Sequence, residues 1–92
     1  MDISDIFFSS HLKNRIMERD ISIEEVYQTV MFGITIKAYP DDVPYPSELI
    51  LHWCGSRPIH VVVATNDKMK LIVTAYEPDL HRWENDFKRR KQ

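Results

Sequence analysis

His60, Thr74 and Tyr76 stand in two strand-like runs, "IHVVVAT" (59–65) and "MKLIVTAY" (69–76). Histidine is the natural proton acceptor or donor near neutrality, because its unperturbed pKa is about 6.5. Tyrosine is a poor base at its ordinary pKa of about 10. It can still orient a group, give up a proton or stack on a nucleobase. Lysine and arginine can hold a phosphate. Such a set suits cleavage of a phosphodiester by the neighbouring ribose 2′-hydroxyl. That reaction needs a base, an acid for the leaving 5′-oxygen, and positive charge or donors around the pentacoordinate phosphate. His60, Tyr76 and Arg57 are the candidate catalytic residues. Lys37, His11, Arg15 and Arg82 are the candidate substrate-binding residues.

Each of these has a structural alternative. His60 can be a half-buried strand histidine bonded to its neighbours, and Tyr76 a core-edge aromatic with its hydroxyl in water. Lys37 can be solvated on a strand, and Arg57, between Ser56 and Pro58, an exposed turn residue. His11 and Arg15 lie four apart and share a helix flank. Trp83 reads as core. His52 and Cys54, two apart, point the same way on a strand, but zinc needs about four ligands, and no metal site is expected. No cofactor is expected either.

The elements that must position these groups follow from periodicity. Residues 4–19 read as a helix on the spacing of Phe8, Leu12 and Ile16, widened by Ile6 and Met17. Ser22-Ile23-Glu24-Glu25 has the spacing of a capping box and starts a second helix over 23–32, which Gly33 ends. Strands follow at 34–39, 48–54, 59–65 and 69–76. A proline-rich loop spans 40–47, a tight turn 55–58 and a short hairpin turn 66–68. Asp79 caps a last helix over 80–90, with Leu80, Trp83 and Phe87 on one side. Strict alternation puts Ile59, Val61 and Val63 on one face of the third strand, and His60, Val62 and Ala64 on the other. It likewise sets Leu71, Val73 and Ala75 against Ile72, Thr74 and Tyr76. The expected fold is α+β: two N-terminal helices on a four-stranded antiparallel sheet, with a C-terminal helix.

The chain has 92 residues, 43% hydrophobic and 28% charged. This fits one soluble globular domain, 1–92. No apolar run reaches the ~18 residues of a membrane span, and "MDISDIFFSS" lacks the basic start of a secretory signal. The single cysteine, Cys54, fits a cytoplasmic protein. Charge is uneven. Residues 1–80 carry seven Lys/Arg and twelve Asp/Glu, whereas residues 81–92 carry five and two. A basic tail on an acidic body suits phosphate or an acidic partner, or simply a solvated helix end.

The stretch "HLKNRIMERDISIEEVYQTV" (11–30) resembles the helical signature of BrnT-like and related small toxin domains: a histidine, an arginine four residues on, then "ERDIS" entering a second helix. The stretch from "YPDDVPYPS" to "HRWENDFKRR" (39–90) resembles an uncharacterised bacterial family related to them, often encoded beside a zinc-finger antitoxin of the MqsA type. The resemblance implies a RelE/barnase-like fold with a substrate groove on the open face of the sheet. It implies metal-independent cleavage of mRNA, blocked by the antitoxin. Tyr76 falls at the functional last-strand position of such toxins. Arg57 matches a basic residue at the turn into the third strand, Lys37 one on the first strand, and His11 and Arg15 the helix signature. The expected activity is thus that of a toxin-like endoribonuclease. The expected partners are RNA and a small zinc-finger antitoxin, with strand-edge pairing able to give a homodimer. The alternatives are a non-catalytic protein-binding module and a small-ligand sensor.

Overall fold

The computed structural model describes residues 6–92. Along the chain run strand β1 (Ile6–Phe8), helices α1 (Ser10–Glu18) and α2 (Ile23–Phe32), and strands β2 (Ile34–Tyr39), β3 (Ser47–Cys54), β4 (Arg57–Asn66) and β5 (Met69–Tyr76). The strands make one sheet in the order β1-β5-β4-β3-β2. β2 to β5 form the expected antiparallel meander. β1 adds to β5 in parallel, with Phe7 opposite Leu71. The sheet is therefore five-stranded and mixed, not four-stranded and antiparallel.

The extra strand corrects the long first helix expected over 4–19, of which residues 4 and 5 lie outside the described residues. Ser9 is the reason. Its side chain accepts the Leu12 N–H at 3.0 Å, so the helix starts only at Ser10. The apolar residues before the cap pair with the free edge of β5. Phe8 still reaches the core, edge-to-face on Tyr27 at 5.4 Å, but from a strand. Helix α2 forms where its local signals place it. Ser22 and Glu25 make the reciprocal capping box. The chain leaves the helix at Gly33, which is extended, and no side chain fits there: a Cβ would lie 2.5 Å from the Thr29 carbonyl oxygen and 2.7 Å from that of Leu51.

Both helices pack on one face of the sheet. Leu12, Ile16, Val26 and Val30 meet Ile50, Ile59, Val61, Val63 and Ile72 there, all buried. Ile72 corrects the alternation expected for the last strand. The β4–β5 register shifts between Val62 and Val63, passing from Thr74 to Ile72 and leaving Val73 without a partner. This bulge turns Ile72 to the helix side while Thr74 and Tyr76 keep the other.

The C-terminal helix expected over 80–90 does not form. Asp79 accepts the backbone N–H groups of His81 and Arg82, as a cap would. The backbone then turns back on itself. Glu84 N–H donates to the Arg89 carbonyl and Lys91 N–H to that of Arg82. Asp86 takes the Lys88 N–H, and Phe87 sits at φ 56°, which no α-helix contains. Residues 77–92 thus form an irregular strap, closed by a Trp83–Arg90 bridge. It lies across the second face of the sheet, where Phe87 meets Trp53 edge-to-face at 5.6 Å.

Candidate active site on the second face of the sheet

The register of β3, β4 and β5 lines up Leu51, His60 and Tyr76 in one row. Residues directly opposite in antiparallel strands point to the same side. Their side chains therefore share the face away from the helices. The strap closes over this row. Trp83 stands edge-on to the His60 ring at 4.5 Å, and Tyr76 flanks it at 5.3 Å. His60 is left with 0% exposure.

Both nitrogens of the enclosed ring have partners. Nε2 lies 2.7 Å from the Phe87 carbonyl oxygen, and Nδ1 lies 3.2 Å from the Tyr76 hydroxyl. A carbonyl only accepts, so Nε2 carries the proton. Nδ1 of the neutral ring is then an acceptor, and the Tyr76 O–H donates to it. Burial pushes the His60 pKa below its ordinary value, with the Phe87 carbonyl pulling part of the way back. Burial pushes Tyr76 upward. Neighbouring Tyr39 adds to that shift and Arg90 opposes it. Near neutral pH the pair is uncharged, with one directed proton path. Tyr76 is half-buried and meets solvent, while His60 stands behind it. A hydroxyl outside can pass its proton to the Tyr76 oxygen as Tyr76 passes its own to Nδ1. The imidazolium formed keeps its Nε2–H on the Phe87 carbonyl.

The other candidates are distributed unevenly. Lys37 pairs with Leu49 across β2 and β3 and shares the second face. Its Nζ lies 5.5 Å from the Tyr39 ring centroid. Arg57 sits on the helix side and is not brought to the pair. Its guanidinium donates to Glu77, to the carbonyls of Asp20 at 2.7 Å and Arg19 at 3.2 Å, and to Glu25 at 3.4 Å. It pins the α1–α2 connection to the end of β5. Arg15 and His11 are joined on exposed α1, Arg15 Nε to His11 Nε2 at 3.0 Å, also on the helix side. Arg82 is exposed on the strap. His52 faces Phe32, 6.4 Å between ring centres. Burial raises the Cys54 thiol pKa. Among the described residues, no three of His, Cys, Asp or Glu are grouped to hold a metal ion.

Two parts of this site escape sequence reasoning. The Phe87 carbonyl is backbone and carries no residue-type signal. Arg90 is one of four consecutive basic residues, "KRRK" (88–91), and only the strap's turn brings it near Tyr76.

No helix among the described residues is long and apolar enough to cross a membrane. No curated protein and no solved structure matches the chain. One family model does match it, a "Domain of unknown function (DUF4258)", over residues 8–77. That span holds both helices, strands β2 to β5 and the His60–Tyr76 pair, and it ends where the strap begins. The match brings no activity and no partner with it. On this span the chain belongs to the DUF4258 family of domains of unknown function.

Proposed function

We propose that the chain is a toxin-like endoribonuclease that cleaves by acid–base chemistry at Tyr76 and His60. One observation carries this: a neutral, enclosed imidazole is bonded through Nδ1 to the hydroxyl of Tyr76, a half-buried residue. The ribose 2′-hydroxyl attacks the adjacent phosphorus, and the P–O5′ bond breaks. The 2′-hydroxyl proton goes to Tyr76, whose own proton goes to His60. The leaving 5′-oxygen takes a proton from solvent. The products are a 2′,3′-cyclic phosphate and a free 5′-hydroxyl. Lys37 holds the phosphate on the same face. The resemblance to BrnT- and RelE-type toxins supports the choice of RNA. A small zinc-finger antitoxin of the MqsA type would cover this face, in a cytoplasmic pair. Co-purification with such a neighbour tests the partner separately from cleavage.

A second role has its own support. Complete enclosure and two satisfied nitrogens are also what a purely structural histidine shows. The chain would then be a non-catalytic protein-binding module. Tyr76→Phe separates the two. It removes one hydroxyl and leaves the ring packed. An endoribonuclease loses about 10²-fold or more in cleavage rate and stops arresting growth on expression. A binding module shows no cleavage to lose.

A further inference from the structure

A groove of about 390 Å³ runs between β2 and the strap. Its walls include Lys37, Tyr39, Trp83, Lys88, Arg89 and Arg90, and no Asp or Glu side chain. Ligand clefts begin at roughly 300 Å³, so the groove is large enough for one nucleotide unit. Arg89 is paired with Asp86 at 3.4 Å. Among the described residues, Lys37, Lys88 and Arg90 have no carboxylate partner. Three uncompensated cations thus converge on a protein whose net charge is −2. A cleft lined by one sign of charge concentrates the opposite sign.

Two of these cations rest on aromatic rings. Lys37 Nζ lies 5.5 Å from the Tyr39 centroid, and the Arg90 guanidinium 6.0 Å from that of Trp83. Trp83 is buried, but Tyr39 is half-exposed and offers a face. A nucleobase placed on Tyr39 would displace the Lys37 ammonium from the ring and free it for a phosphate. Aromatic faces interleaved with cations favour single strands, whose bases are available to stack. Duplexes keep their base faces stacked inside and offer none to Tyr39.

We infer that this groove is a single-stranded RNA subsite, with one base on Tyr39 and the flanking phosphates on Lys37, Lys88 and Arg90. The inference deepens the proposed function and takes its substrate class from it. Trp83 is the wall shared by the groove and His60, so a bound strand runs towards the Tyr76 hydroxyl. Four of the six named groove residues lie on the strap, beyond the span of the family match. The strap thus supplies most of the proposed subsite's positive charge, and β2 supplies Lys37 and the Tyr39 platform.

The test reads binding apart from cleavage. Fluorescein-labelled 2′-O-methyl oligouridylate cannot be cut, because its 2′-oxygen is blocked. Its fluorescence anisotropy is titrated with the full chain. Three phosphate contacts predict a log–log salt slope of about −2, or roughly a 20-fold loss of affinity per fourfold rise in salt. Lys37→Gln with Arg90→Gln should weaken binding at least tenfold and flatten that slope. Tyr39→Leu should weaken it severalfold with the slope unchanged. Lys13→Gln, on the helix side, should do nothing. Absence of binding at low salt, or binding indifferent to the groove variants, overturns the subsite. So does equal binding of a duplex at the same slope. If the groove binds while unmodified RNA stays intact, the subsite stands and the cleavage proposal falls.

Discussion

A histidine sealed from water responds to acid through the whole fold. His60 has a folded pKa below its unfolded value of about 6.5. Its contribution to stability is complete above that value. Below it, the unfolded chain binds a proton that the folded chain resists, so stability falls as pH drops towards the folded pKa. Urea unfolding across that window should show the decline, and His60→Phe should lack that part of it. An unchanged profile in the variant would place the acid sensitivity elsewhere. His60 and Tyr76 were legible as candidates because alternation along β4 and the end of β5 survive in the fold. The role of Arg57 was not legible. Its partners Asp20, Glu25 and Glu77 come from three separate segments that only tertiary packing assembles. Arg57→Ala should therefore cost about 1–2 kcal/mol in denaturant unfolding, discounted for its partial exposure. Loss of cleavage with no loss of stability would instead place Arg57 in the reaction.

At the scale of elements, what is local was readable. Helix α2 runs over the expected residues: the capping box fixes its start within the segment itself, and Gly33 ends it in extended backbone against β3. The misread elements depend on distant partners. Ile6–Phe8 carries helical spacing but takes its hydrogen bonds from β5. The bulge at Val73 inverts Ile72, and no residue type announces it. Trp83 and Phe87, four apart, fit a helix face, yet both pack on the sheet from an irregular strap. Trp83 of that strap supplies part of the burial that holds the His60 pKa down, while the strap's Phe87 carbonyl pulls the other way. Trp83→Leu should remove about 1–3 kcal/mol of stability and let water reach the ring. An NMR pH titration of His60 should then show its pKa rising towards the ordinary histidine value. No movement would mean that burial within the sheet suffices without the strap.

The whole molecule has two unlike sides. Helices cover one face of the sheet, and Arg57, His11 and Arg15 are used or displayed there. The second face carries the His60–Tyr76 row, Lys37 and a basic strap over a body with an excess of acidic residues. Charge asymmetry was visible in the sequence, but its placement beside Tyr76 required the strap to fold back. On the proposed reading the strap would serve twice, to enclose the imidazole and to hold the strand. The most direct measurement incubates pure protein with unmodified single-stranded RNA in EDTA, over the pH range in which histidine titrates. The predicted result is cleavage to 2′,3′-cyclic phosphate and 5′-hydroxyl ends, lost in folded Tyr76→Phe and His60→Gln. RNA left intact by wild type, or cleaved equally well by folded Tyr76→Phe, would contradict it.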